Sequence, residues 1–402
     1  MNLKLLERLN FTAVVSSYFY FSYLKIYGQL PYHIFFIGLG ILINILRFRF
    51  SIRSFDKRII ILFFLIFFIT LKSYLIHPGQ GFILNFLNDI LMYVVMVFYV
   101  VNFIRHKEDI VFFQHIIIYV GSLSMLVAIF QLFDFDFAWD MRKFINFNND
   151  PDDVVSIQIQ ERDRPVGLAY FSITYSYQML ILASLFVSNF LVERSSKNRN
   201  LAIFGVVGLL VCLSRSATLG FFISVVVYFL LNGLRLKNLA ILLMVLFIFS
   251  IGFYIQDLRD ISVLNDSSRY YLFLAGVNVF IDFIISGTGS LDYTDFTMDY
   301  MSSYGAPAWA QNHSVHSSLL TALIRHGFLL FLPIFYLYYI YIKENKVIKN
   351  YNKNLYVFFY IYIISYTVHS FFHNAGIFNK DQLFWLVFGF LIASKNVYNK
   401  HK

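Results

Sequence analysis

Charge is scarce in this chain. Of 402 residues only 14% are Asp, Glu, Lys or Arg, whereas 59% are hydrophobic and 20% aromatic. Soluble globular domains carry about a quarter charged residues, so a soluble fold of this length is excluded. Cysteine is scarcer still. The single cysteine, Cys212, sits inside an apolar segment, which rules out an internal disulfide and a cysteine-based metal site and says nothing about redox compartment. A signal-cleavage motif is missing too: MNLKLLERLN runs into an apolar stretch with no small-residue site before Lys25, and reads as a retained first span. No repeat recurs at a fixed period.

What the chain does have is apolar runs of about 18–25 residues, the length that crosses a hydrocarbon core of about 30 Å. Twelve spans are expected, at 10–27, 30–46, 59–76, 84–104, 110–132, 168–191, 200–214, 216–233, 238–255, 316–342, 355–372 and 381–394. The fold class is therefore an all-α polytopic membrane protein, with residues 1–402 forming one integral membrane domain. The net charge of +9 is a topology signal. Between the spans, only Arg142, Lys143, Arg162, Arg164, Arg215, Arg259, Arg269 and Lys380 fall on one side, and the other side holds the large majority of Lys and Arg. Such an excess marks the cytoplasmic face, so both termini are expected there, and no nucleic-acid partner is needed to explain the charge.

The opposite, external side is the elaborate one. Its two long loops, about 133–167 and 256–315, hold most of the 23 acidic residues, and long loops in compact proteins are usually functional. Within the second, residues 267–286 read as an amphipathic helix lying at the membrane interface. Trp139 and Trp309 are placed as interfacial rings are.

External arginines are few, which singles them out. Arg164 precedes the sixth span, Arg215 sits in the turn between the seventh and eighth, and Arg269 opens the interfacial helix. A guanidinium fork matches phosphate oxygens bidentately and stays charged at any physiological pH, so three of them at one membrane surface suit a pyrophosphate. Snorkelling, or pairing with the external aspartates, is the structural alternative for each. His313 and His316 stand where the long loop gives way to the tenth span. A histidine there can accept a proton near neutral pH, though an interfacial histidine with no chemical role is the commoner case. Their i, i+3 spacing also raises a metal site, but the nearby carboxylates all lie upstream and no metal is expected. Arg325 and His326 fall deeper in that span. A mid-membrane arginine costs at least about 2.5 kcal/mol, so Arg325 should face a bundle interior or an aqueous cavity, where it is expected to support the pyrophosphate site or to pair with Asp89. Gly287-Thr288-Gly289 reads as a chain reversal. His369, His373 and Asn374, at the external end of the eleventh span, are expected to line the same cavity.

The order of these features, RPVG at 164–167, LSRSATLG at 213–220, SSRYYLFLAG at 267–276, GTG at 287–289 and VHSSLLTALIRHG at 315–327, resembles the O-antigen polymerase and ligase superfamily of Wzy-type polymerases and WaaL-type ligases. The motifs cover about 165–335. The resemblance implies a metal- and cofactor-free membrane glycosyltransferase of the GT-C type in a bacterial inner membrane. Its donor would be an undecaprenyl-pyrophosphate-linked glycan, and its site would face the periplasm. Arg164, Arg215 and Arg269 would hold the pyrophosphate, and His316 would be the general base. Where the family has Asn after that histidine this chain has Ser317, and Asn312-His313 is an alternative register that would make His313 the base. Partners implied are the lipid-linked glycan, membrane lipid and a chain-length regulator protein. Polymerisation of repeat units ranks first and ligation of polymer to lipid A–core second. Transport of a lipid-linked sugar ranks last, because buried charges are scarce.

Overall fold

The computed structural model describes residues 3–21, 25–26, 30–46, 56–78, 82–145, 164–169, 171–232, 266–289, 291–306, 311, 315–373, 376–378 and 383–399. In chain order these form α1 (Leu3–Phe21), α2 (Tyr32–Leu46), α3 (Lys57–Ile76), α4 (Phe82–Phe103), α5 (Lys107–Leu132), α6 (Asp136–Ile145), α7 (Ser172–Val192) and α8 (Ser196–Val211). There follow α9 (Arg215–Asn232), α10 (Asp266–Asp282), α11 (Tyr293–Ser303), α12 (Ser318–His326), α13 (Phe331–Lys349), α14 (Lys353–Phe371) and α15 (Phe384–Asn399). A two-residue antiparallel pairing, β1 (Lys25–Ile26) with β2 (Leu30–Pro31), and a single bridge residue, Gly376, depart from an all-helical fold among the described residues. The first expected span ran to 27, whereas α1 ends at Phe21; Gly28 and Pro31 make the following segment a poor helix continuation.

The helices begin where side chains can take up the free N–H groups of a first turn. Asp56 accepts from Arg58 N–H at α3, Ser195 from Asn198 N–H at α8 (3.1 Å) and Asn352 from Leu355 N–H at α14 (3.0 Å). Among the described residues four helices, α3, α5, α7 and α9, are long and apolar enough to cross a membrane by length and composition. The protein is thus a helical membrane protein. Eleven of the twelve expected spans lie on helices, and the ninth, 238–255, is outside the described residues.

The tenth expected span is corrected. Residues 316–342 are not one helix: α12 stops at His326, Gly327 turns at φ 75°, a 3₁₀ turn covers Phe328–Leu330, and α13 then runs from Phe331. Nine residues of α-helix span about 13 Å, too short to cross. Only glycine takes that backbone angle without strain, which is why the break falls there.

Helices α7 and α15 are buried on all sides. Every residue from Ser172 to Ser188 except Ile173 is buried, as is every residue from Phe384 to Ser394. With no solvent- or lipid-facing stripe they form the bundle centre, and α14 packs between α7 and α9. At the end of the bundle away from the 213–215 turn, charge ties the helices together. The buried Glu344 carboxylate of α13 meets Arg58 of α3 at 2.9 Å and Lys395 of α15 at 3.3 Å, and Arg58 also grips Asp56.

Candidate functional site

Arg164 is positioned by α5. Gln131 Oε1 accepts the N–H groups of Val166 (2.9 Å) and Gly167 (2.8 Å), while its Nε2 donates to the carbonyls of Ala138 (3.1 Å) and Gly167 (3.2 Å). Ser124 Oγ accepts Leu168 N–H at 3.1 Å and itself donates to Gln178 of α7 at 2.8 Å. The glycine of RPVG is needed on two counts: its φ is +55°, and a Cβ there would lie 2.5 Å from both Ser124 oxygens. The segment just after Arg164 is therefore pinned between α5 and α7. Sequence reading missed Gln131 and Ser124. The only signal was that both are uncharged polar residues inside a largely apolar span, which holds Gln114, His115 and Ser122 as well.

Arg215 opens α9 and is exposed. Behind it Leu213 turns at φ 50°, and Ser214 Oγ accepts Ala217 N–H at 3.4 Å. Ser216, the next residue, points into the bundle. Its hydroxyl lies 2.9 Å from His369 Nδ1 and 2.8 Å from His373 Nε2. One turn on, Gly220 lets α9 press against α14, since a Cβ there would meet the Ser365 carbonyl at 2.7 Å. Ser365 Oγ donates to Ser224 Oγ at 2.9 Å in the same contact. Small residues and cross-helix hydroxyl bonds are how apolar helices approach closely. Here they bring Ser216 to the histidines.

Arg269, also exposed, lies in the first turn of α10. Seven residues later, two turns along the same face, Gly276 has Val315 against it; a Cβ would meet Val315 Cγ2 at 2.7 Å. Val315 is fully buried, and His316 follows it. Ser317 then caps α12, its Oγ accepting Leu320 N–H at 3.4 Å. Asn and Ser are comparable N-caps, so the departure from the family's Asn keeps the cap at this position. Ser318 Oγ donates to the Ser370 carbonyl at 2.7 Å, tying the start of α12 to the end of α14.

These seats converge. His373, half-buried just past α14, lies within electrostatic reach of His316, Arg164 and Arg269, and is hydrogen-bonded to Ser216, the residue beside Arg215. Burial first, then the neighbouring His316, Arg164 and Arg269, push its pKa down to about 3, so the ring is neutral. Helices α9 and α12 start within two residues of Arg215 and His316, and α10 within a turn of Arg269. Helix N-termini add partial positive charge at the same place. Such a cluster has the charge and geometry that suit a polyanion, and His316 stands beside it.

Arg325 is not brought in. It lies at the far end of α12 from His316, where its charge and that of Lys72 act on His326. Thr288 and Gly289 N–H groups donate to the Ile324 and Arg325 carbonyls, both at 2.9 Å, and Phe328 N–H returns to the Ile284 carbonyl at 2.7 Å. The GTG turn thus caps α12. A Cβ on Gly287 would fall 2.3 Å from the Arg325 carbonyl oxygen. Arg325 thus lies not in the middle of a long helix but in the last turn of α12, whose end packs against the C-terminal turns of α3. His313, Asn312, Asn374 and Trp309 lie outside the described residues, as does the Asp89 side chain proposed as Arg325's partner. Among the described residues, no three of His, Cys, Asp and Glu stand close enough to hold a metal ion.

The fold and this site define a helical membrane protein with guanidinium and imidazole groups gathered at one end of its bundle. Residues 200–335 match the Wzy_C family model, described as O-antigen ligase. The match spans α8 to the start of α13, takes in Arg215, Arg269 and His316, and supports the O-antigen polymerase and ligase superfamily and a membrane glycosyltransferase-like enzyme. Arg164, His369 and His373 lie beyond it. No curated protein matches the chain.

Proposed function

We infer that the chain transfers a glycan from a polyprenyl-pyrophosphate carrier to an acceptor hydroxyl at the outer face of a bacterial inner membrane. Arg164, Arg215 and Arg269 hold the pyrophosphate. His316 takes the proton of the acceptor hydroxyl as its oxygen attacks the anomeric carbon. The bond from that carbon to the phosphate oxygen breaks, and the electron pair leaves with the polyprenyl pyrophosphate. The observation that carries this reading is the gathering of His316, Arg164 and Arg269 around His373, with Arg215 one residue from Ser216.

The acceptor separates two activities. Sequence alone ranks the polymerase first, with a lipid-linked repeat unit as acceptor. The description of the matched family, O-antigen ligase, favours transfer to lipid A–core. A lipopolysaccharide gel from a strain lacking the gene separates them. Core carrying a single repeat unit means a polymerase, because ligation of unpolymerised units continues. Bare core with polymer retained on its carrier means a ligase, and an unchanged ladder sinks both.

A further inference from the structure

The Ser216 hydroxyl has a single hydrogen and three polar neighbours, but Ser214 Oγ stands at 3.5 Å against 2.9 and 2.8 Å for the two imidazole nitrogens, so the hydrogen goes to one ring and the hydroxyl accepts from the other. His369 decides which. It is fully buried, and its Nε2 has no hydrogen-bond partner among the described residues. If Ser216 donated to His369 Nδ1, the proton of neutral His369 would sit on Nε2 as a buried N–H with nothing to accept it. Orphaned buried N–H groups are rarer than under-satisfied acceptors. The other arrangement avoids this: His369 Nδ1–H donates to Ser216, and Ser216 donates to His373 Nε2. A neutral His373 then carries its own proton on Nδ1, the one ring nitrogen left for a ligand.

We propose that His373 is a neutral Nδ1–H donor to the diphosphate of the lipid-linked substrate, its tautomer fixed by Ser216 and His369. This rests on the pyrophosphate reading of the site. The groups facing His373 are Ser216 on α9, His369 on α14, His316 ahead of α12, Arg164 ahead of α7 and Arg269 on α10. The arginines supply charge, and one more cation among them would be repelled. Burial and those neighbours keep the ring unprotonated. A neutral ring adds a directed hydrogen bond at no electrostatic cost. Because its Nε2 lone pair is committed to Ser216, His373 is not the base that takes the acceptor's proton.

The test uses the full chain in detergent, with binding of undecaprenyl diphosphate as the readout. An Asn amide nitrogen sits near the Nδ1 position of a histidine, and a Gln amide nitrogen near Nε2. His373→Asn is expected to weaken binding by less than about fivefold, and His373→Gln and His373→Phe by about 10- to 100-fold, the range for a hydrogen bond to a charged group. Ser216→Ala falls between them, because the donor survives but its tautomer is no longer fixed. Where His373→Phe does not fold, the Asn and Gln pair decides. Wild-type binding by His373→Phe, or equal losses for Asn and Gln, overturns the donor role and leaves the pyrophosphate site standing. Failure of the unmodified chain to bind undecaprenyl diphosphate overturns both.

Discussion

Gln131 holds the backbone N–H of Gly167 at 2.8 Å, although the two residues lie on separate segments. The same carboxamide oxygen takes the Val166 N–H, so one side chain fixes the direction of the segment that begins at Arg164. Gln131→Leu keeps the volume and strands both donors in a buried setting, at about 1–3 kcal/mol each. A lower thermal midpoint is expected, together with at least a tenfold loss of polymer-forming or ligating activity, because Arg164 is displaced. Wild-type activity in a variant of lowered stability would mean that Arg164 needs no such seat.

Gly220 tests the other seat. Gly220→Val forces α9 away from the Ser365 carbonyl and carries Ser216 off the two histidines. Overpacking of this kind costs about 1–3 kcal/mol. Activity is expected to fall further than the stability loss explains, measured at a temperature where the variant remains folded. Gly38 is the control position, because a Cβ added there would meet nothing within 4 Å: Gly38→Ala leaves activity intact.

The arginines divide into two sets with different outcomes. Arg164→Gln and Arg269→Gln each lose about 10²- to 10³-fold in rate, the effect of removing one donor to a developing anion, and His316→Ala loses about 10²- to 10⁴-fold. Arg325→Gln, at the far end of α12, loses less than about tenfold. Activity assays on inserted, expressed variants check the ranking. An Arg325 loss equal to that of Arg164 would restore its expected place among the pyrophosphate ligands.

The motifs were legible because each pairs a charged group with the glycine or serine that seats it. In RPVG, SRSATLG and RYYLFLAG, the glycines mark close approaches at 167, 220 and 276. Ser317 could be read as a departure from the family's Asn, but not as the cap of α12. The helix break at Gly327 was hidden because apolar residues run on both sides of it, and hydropathy carries no record of a backbone angle. For the same reason Arg325 looked buried in mid-span. Ser216 between His369 and His373 joins positions more than 150 apart, a separation no local pattern encodes.

The low pKa of His373 has a consequence for stability. Its folded value is about 3 against an ordinary 6.5, so well above pH 6.5 the ring is neutral in both states and contributes no pH dependence. As pH falls below 6.5 the unfolded chain takes up a proton that the folded chain refuses, and stability is lost progressively down to about pH 3. His373→Asn removes that linkage. The thermal midpoint of the variant relative to wild type is therefore expected to improve steadily as pH is lowered from about 7 to about 5. Parallel curves would show that His373 protonates freely in the folded protein.

Far from these groups, Glu344 makes an independent prediction about what holds the bundle together. Its carboxylate is buried and faces Arg58 at 2.9 Å and Lys395 at 3.3 Å, so removing it leaves two cations on α3 and α15 facing each other with Asp56 alone to screen them. Breaking a fully buried pair costs about 3–5 kcal/mol. Arg58 and Lys395 keep partial solvent access, which places Glu344→Ala nearer about 2 kcal/mol after screening. Trp139 and Trp385 are both buried and report unfolding by fluorescence. The midpoint is expected to drop while activity at low temperature is unchanged, because the network lies at the opposite end of the bundle from His316. A loss of activity without a loss of stability would instead tie this charge cluster to the chemistry.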